Sequence, residues 1–406
     1  MGVLSSGPMQ KSCRCVPFVL LFAATALCAA YPADPFAAIP ARMQAFVDQG
    51  ETAGAVMLVA DKDHILHLSA IGRSDLASGR KMQTDDLFWI ASMTKPMTAA
   101  CVAALVDDGK LDFDDPAEKY LLEFHAPWVI AEDTAERRVL VPAARPITLR
   151  DLLTHTSGMG EYAVYGPHWT LAEMIAAVAR EPLKFQPGSR WSYSTAGIDT
   201  LCRVVEVASG RPFAEFIQQR IFDPLGMKDS TFWLTPAQAQ RFATNYARNP
   251  QTGKLEPVTI HYLYGGAVTD HARPPLGGAG LFSTAADVAK FYQMMLNGGK
   301  VGGKPILRPA TVAEMTRSQT AGIKAGFLPG SAWGLGLCVV QEPQGVTAML
   351  APGTFGHGGA HGTQSWADPR RGIIYVLMIQ RAGLPNSDGS DLRRVFQEAA
   401  VAALAP

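Results

Sequence analysis

The chain has 406 residues, 48% of them hydrophobic and 18% charged, with 36 Lys and Arg balancing 36 Asp and Glu. That composition is globular and excludes disorder, collagen and coiled coil. Zero formal charge and no polybasic run exclude nucleic acid and anionic membrane surfaces as partners. The length exceeds the roughly 250–300 residues that one core organises, which predicts two subdomains.

Lys11 and Arg14 precede an apolar run over residues 16–30 that closes on Cys28-Ala29-Ala30. The run falls short of the ~20 residues that span a bilayer. It reads as a secretory signal, residues 1–30, cleaved after Ala30; a start at Met9 gives a more compact version. The expected product is exported, periplasmic or secreted, with no membrane span once the signal is removed. Cys101, Cys202 and Cys338 then remain, an odd and widely spaced set that reads as buried thiols rather than a disulfide framework.

Residues 53–60 and 64–70 read as two strands around the polar turn Asp61-Lys62-Asp63. Residues 99–106 are apolar on every face, which predicts a helix buried all round, with Gly109 placed to end it. Helices follow over 171–180 and over 198–208, the latter stopped by Gly210. Thr284 caps a helix whose Val288, Phe291, Tyr292 and Met295 share a face, ended by Gly298. Strands are expected at 333–341, 362–367 and 372–380. The last lacks alternation and so reads as a central strand covered on both faces. A terminal helix spans 392–404. Strands at both ends with helices between predict one sheet built from both termini and a mostly helical insertion.

Ser92 and Lys95 open the all-apolar helix, and positions i and i+3 share a helix face. A serine hydroxyl needs an adjacent base, and a lysine serves only when desolvation lowers its pKa. An apolar helix supplies that desolvation, and its N-terminus favours an oxyanion. Tyr193, in Arg190-Trp191-Ser192-Tyr193-Ser194-Thr195, stands just before a helix, where its hydroxyl can relay a proton. The glycine-rich run Phe355-Gly356-His357-Gly358-Gly359-Ala360-His361-Gly362-Thr363 leads into a strand that lets a substrate approach closely. His357 and His361 have zincin spacing, but no glutamate follows the first and the glycines oppose a helix, so no metal is expected. G-x-S-x-G is absent, which excludes an α/β-hydrolase.

Taken in order, Ser92–Lys95, Tyr193–Thr195 and His357–Gly359 resemble the S-x-x-K, Y-x-N and K-T-G (or H-x-G) motifs of the serine β-lactamase and penicillin-binding-protein superfamily. The class C branch and the family VIII carboxylesterases are the most similar. The stretches Leu152–Gly158, Asp108–Leu111 with Asp115-Pro116, and Gly280–Thr284 also resemble this family, so the likeness spans roughly 45–400. It implies an α/β (α+β) sandwich: an antiparallel sheet from both chain ends, flanked by helices, with an inserted helical subdomain. The sheet subdomain is expected at approximately 31–106 and 275–406, and the helical one at approximately 107–274.

By the same resemblance Ser92 is the acylated nucleophile, Lys95 its base or proton partner, and Tyr193 a second relay. The backbone N–H groups of Ser92 and Ala360 form the oxyanion hole, while Thr195, His357, Gly358 and Gly359 bind substrate. Thr195 stands where Asn is usual and His357 where Lys is usual. Losing that cation disfavours a β-lactam carboxylate and favours a small-molecule ester or amide, without a cofactor. A carboxylesterase is the leading expectation. The alternatives are a class C-like β-lactamase, a D-alanyl-D-alanine carboxypeptidase or D-aminopeptidase, and a penicillin-binding protein that only traps the acyl group. Loops near 160–180, 255–275 and 320–332 are expected to shape the cleft, through Tyr162, Tyr165, Trp169, Tyr262, Tyr264, Phe327 and Trp333.

Overall fold

The computed structural model describes residues 1–9, 34–162, 166, 168–264 and 266–404. Met1–Asp34 and Pro35–Pro406 are two units. Most of the expected signal segment, residues 10–30, lies outside the described residues. The second unit carries the sheet, its helices and the candidate site.

Helix α1 (Ala38–Asp48) precedes strands β1 (Gly54–Asp61), β2 (Ile65–Asp75) and β3 (Arg80–Lys81). Helices α2 (Thr94–Asp107), α3 (Leu171–Val178), α4 (Thr195–Ser209) and α5 (Ala285–Leu296) come next. The chain closes with β4 (Ser331–Trp333), β5 (Cys338–Val340), β6 (Thr354–Gly358), β7 (Gln364–Asp368), β8 (Ile373–Met378) and α6 (Asp391–Ala403). The eight strands form one sheet in the order β4-β5-β6-β7-β8-β1-β2-β3, with every pairing antiparallel. β1 therefore lies between its sequence neighbour β2 and the distant β8, in a register that sets Val56 against Met378 and Val59 against Tyr375.

The missing alternation in β8 has a direct cause. Side chains of a strand point alternately to the two faces, and here each face has its own core. Ile374, Val376 and Met378 of β8, with Val56, Leu58 and Ala60 of β1, face the core that holds α2 and α5. Tyr375 and Leu377, with Ala55, Met57 and Val59, face the core closed by Ile39 and Met43 of α1 and Leu392 and Phe396 of α6. Helix α2 is buried from Thr94 to Leu105, as expected of an element apolar on every face. Thr284 caps α5 by accepting from the Asp287 N–H, and Gly210 ends α4 in the left-handed conformation at φ 71°. Cys101, Cys202 and Cys338 are free and buried.

Two expectations are corrected. The run 333–341 is not one strand but the turn and second arm of a hairpin, β4–β5. Gly336 makes the turn at φ 75° and packs against Ala99 of α2, with its N–H on the Leu153 carbonyl at 2.9 Å. A side chain there meets Ala99 and takes an unfavourable φ, so Gly336→Ala is expected to cost about 1–3 kcal/mol. Thermal melting checks it, and an unchanged Tm would show that the turn tolerates a Cβ. The middle of the chain is also less helical than expected: it holds a hairpin, Trp128–Asp133 with Arg138–Pro142, and the pair Tyr246–Arg248 with Leu255–Pro257.

Candidate active site

Ser92 lies in a 3-10 turn, Ala91–Met93, immediately before α2. Phe88-Trp89 pairs with Phe282-Ser283, and the Ile90 N–H donates to the Leu281 carbonyl at 3.0 Å, which anchors the approach. Ala91 then takes φ 47°, a left-handed conformation that costs a non-glycine residue of order 1 kcal/mol. Its carbonyl is held by the Thr94 hydroxyl at 2.6 Å. The kink carries Ser92 to the wall of a pocket of about 390 Å³, within the usual size for small-molecule sites.

Lys95 is fully buried. Its Nζ is 3.1 Å from Ser92 Oγ, donates to the Gly278 carbonyl at 2.6 Å, and stands 4.6 Å from the centre of the Tyr193 ring. Burial pushes its pKa down to about 8, against the pull of Asp199 and Glu161. Asp199 is equally buried on α4, accepting from the Gly278 N–H at 2.7 Å and from Tyr162 Oη at 3.1 Å. Desolvation raises its carboxyl to about 7, opposed by the Gly278 bond and by Lys95. Gly278 thus joins the amine and the carboxylate through its own N–H and C=O. A Cβ at Gly278 would lie 2.6 Å from Thr195 Cγ2, so only glycine lets this backbone pass between α2 and α4.

Tyr193 ends the stretch before α4 and lines the same pocket. Desolvation holds its hydroxyl pKa well above the usual value, while a hydrogen bond with Ser92 works the other way. The residues on both sides of Tyr193 are tied to His155, whose carbonyl accepts from the Ser192 N–H at 2.9 Å and whose Nδ1 accepts from the Ser194 N–H at 3.2 Å. The His155 ring packs 4.5 Å from the Tyr193 ring and 5.0 Å from Trp333. Burial and Lys95 hold it neutral, well below the ordinary imidazole range.

The facing wall is the end of β6. Gly359 has no room for a side chain, since a Cβ would sit 2.8 Å from the Ile90 carbonyl oxygen. His357 is buried, with Nδ1 2.7 Å from the Gly358 carbonyl oxygen and Nε2 3.5 Å from Tyr193 Oη. The carbonyl can only accept, so Nδ1 carries the proton and Nε2 is left to accept from Tyr193. Burial and then Lys95 push its pKa down to about 3. Thr195 lines the pocket, and its backbone N–H donates to Glu161 Oε1 at 2.6 Å. Ala360, Gly358 and Gly359 complete this side.

Of the expected cleft aromatics, Tyr262 and Phe327 line the pocket, Trp333 is fully buried beneath it, and Tyr162, Trp169 and Tyr264 pack against the core. Tyr165 lies outside the described residues. Residues 384–388 form a wall that no motif marked. Asp199, Gly278 and His155 were also missed as site residues. Two signals stood in the sequence: a lone aspartate among the apolar residues of a helix, and the double glycine Gly277-Gly278 after Pro274-Pro275. His361, the other histidine of the glycine run, binds Asn245 through Nδ1 at 2.6 Å rather than facing the pocket wall. Among the described residues no cluster of three or more His, Cys, Asp or Glu is arranged to hold a metal, and no helix is long and apolar enough to cross a membrane.

A family model described as Beta-lactamase matches residues 39–400. The chain is 32% identical over 384 residues to the esterase EstB of Burkholderia gladioli, covering 85% of this chain and 91% of that one. It is 35% identical over 288 residues to a lovastatin esterase of Penicillium rubens, covering 67% and 70%. The solved structure of EstCE1, described as a hydrolase with promiscuous acyltransferase activity, superposes with a TM-score of 0.74 at 25% identity, over 91% of this chain and 99% of the other.

Proposed function

The chain belongs to the β-lactamase family and is a serine hydrolase, and on that premise we propose that it is a carboxylesterase working through an acyl-enzyme on Ser92. The observation that carries this reading is the buried amine of Lys95 at 3.1 Å from Ser92 Oγ. In its neutral form that amine takes the Ser92 proton as Oγ attacks the ester carbonyl carbon. The backbone N–H groups of Ser92 and Ala360 hold the oxyanion, which then collapses and expels the alcohol. Tyr193 passes the proton to the leaving oxygen and is refilled from Lys95. Water cleaves the acyl-enzyme by the same transfers in reverse. Thr195, His357, Gly358 and Gly359 border the substrate.

Esters are favoured over β-lactams and D-alanyl peptides on charge. Both of the latter present a carboxylate, and His357 stays neutral with a pKa near 3. Among the described residues, those that line the pocket include no Lys or Arg. The names of EstB and the lovastatin esterase favour the same class. Export, to the periplasm or the medium, is part of the proposal and rests on the charged and apolar pattern of residues 11–30. So is the division into a sheet subdomain at approximately 31–106 and 275–406 and a helical one at approximately 107–274, with Tyr193 contributed by the second.

A panel of a short p-nitrophenyl ester, a chromogenic cephalosporin and a D-alanyl-D-alanine peptide tests the reading. The ester is expected to show the highest kcat/KM by at least about tenfold, the factor that about 1.4 kcal/mol of carboxylate discrimination produces. His357→Lys returns a cation and is expected to narrow the gap by improving cephalosporin acylation. If wild type prefers the cephalosporin, the esterase reading is wrong. If His357→Lys harms both substrates alike, the histidine serves the proton relay through Tyr193 instead.

A further inference from the structure

The loop between β8 and α6 puts a carboxylate into the pocket. Asp388 lines it together with Ser92, Tyr193 and Gly358, yet the residue is only 7% exposed. Its Oδ1 packs directly on Gly358, where a Cβ would overlap it, and accepts from the Gln364 amide at 3.1 Å. Burial raises the carboxyl pKa above its ordinary value, and the Arg393 charge and the Gln364 bond oppose that only in part. The loop is built to hold the carboxylate there. The Asp388 N–H donates to Asn386 Oδ1 at 3.0 Å, and its carbonyl accepts from Arg393 Nη1 at 3.0 Å. Arg393 is itself fully buried and stacked 3.8 Å from the Trp366 ring. Its guanidinium thus fixes the Asp388 backbone, and among the described residues no ion pair involves the Asp388 carboxylate.

Resting on the esterase reading above, we infer that Asp388 is a specificity-determining residue: it sets a negative charge along the β6 side of the pocket, so that the enzyme rejects acyl or alcohol groups carrying an anion and accepts neutral or cationic ones. The physical basis is Coulombic. A substrate anion seated along β6 meets the Asp388 carboxylate in a wall where water is partly excluded and screening is weak. Among the described residues the pocket lining holds no Lys or Arg, and His357 is neutral; the Lys95 amine lies buried behind Ser92, and the Arg393 guanidinium behind the Asp388 backbone. Gly358 is needed at its position by this same carboxylate, which ties the two features into one device.

The test uses three p-nitrophenyl esters that differ in the charge at the end of the acyl chain: butyrate, hemisuccinate and 4-(trimethylammonio)butyrate. Wild type is expected to turn over the anionic ester at least about tenfold less efficiently than the neutral one. Asp388→Asn keeps the oxygen that Gln364 binds and removes the charge. It is expected to raise the anionic-to-neutral ratio of kcat/KM by about tenfold and to lower the cationic-to-neutral ratio. Ratios unchanged in a folded Asp388→Asn overturn the inference while leaving the esterase reading in place. Melting is measured alongside, and Asp388→Ser supplies the charge-free ratios if the asparagine variant does not fold. If all three esters are inert and a cephalosporin is opened, the esterase reading falls, and the charge effect is read on that cephalosporin as free acid and as methyl ester.

Discussion

Replacing Ser92 by alanine is expected to lower kcat for ester hydrolysis by roughly 10⁴–10⁶-fold, the scale of losing a nucleophile that acts with its base as a unit. The substitution removes one oxygen at a half-buried position. It deletes the acceptor of the 3.1 Å Lys95 bond but leaves Nζ its second partner, the Gly278 carbonyl. The fold therefore has no reason to change, and melting within a degree or two of wild type is expected. The decisive readout is covalent. Incubation with a fluorophosphonate, followed by intact mass and peptide mapping, is expected to place a single adduct on Ser92 of wild type and none on the variant. Labelling that persists in Ser92→Ala would put the nucleophile elsewhere. Steady-state turnover must accompany labelling, because trapping alone does not demonstrate hydrolysis.

The second large effect belongs to Lys95. At an ordinary lysine pKa of ~10.4, roughly 0.1% of the amine is neutral at pH 7.5; at about 8 the fraction is roughly a quarter. Burial therefore raises the population of active base by about two orders of magnitude. Because only the neutral amine accepts the serine proton, kcat/KM of wild type is expected to climb with pH through about 8 and level off above it. Lys95 and Asp199 are both buried and meet through Gly278, so the limb reports the pair rather than either group alone. Lys95→Met keeps the buried shape without the amine and is expected to cost roughly 10²–10⁴-fold in kcat, together with loss of the alkaline rise. The orphaned Asp199, its carboxyl already raised by desolvation, is expected to bind a proton and so spare the fold. Lys95→Arg is a sterner version, since guanidinium stays charged, but its larger head has to fit a position with no exposure. A Lys95→Met enzyme with wild-type rate and pH profile would remove lysine from the chemistry.

Legibility followed the range of the interaction. Ser92 and Lys95 are one helical turn apart, so their proximity is written locally. The lack of alternation in β8 marks its two covered faces, because each face meets its own core. The β4–β5 hairpin was hidden inside an apolar run. Only Gly334 and Gly336 mark the turn, and what demands glycine at 336 is Ala99, more than two hundred positions away. The support of Lys95 was hidden for the same reason. Gly278 is 183 residues from Lys95 and 79 from Asp199, and no local pattern links them. His155 was read as part of a family-like stretch, but its grip on Tyr193 exists only once the loop before α4 folds over it. His357 was legible only as the loss of the usual lysine cation. Burial pushes its pKa down to about 3, and that burial depends on Tyr193 and Trp333 packing on it.

The position of β1 also dictates an order of events during folding. β1 and β2 are joined by a short turn and can form a hairpin as soon as both exist. The other edge of β1 waits for β8, more than three hundred residues further along the chain. Until then an apolar strand, destined for burial on both faces, has one row of backbone groups unpaired. Such edges recruit other chains, and closing so distant a contact is slow. The same late segment carries β6, whose glycines stand opposite Ser92. A chain folded only through α5 therefore holds the serine–lysine pair without the facing wall. Recovery of ester hydrolysis in a refolding experiment then times the closure of the sheet, and a chaperone that shields β1 while the C-terminal strands are still being made should raise the yield of active enzyme.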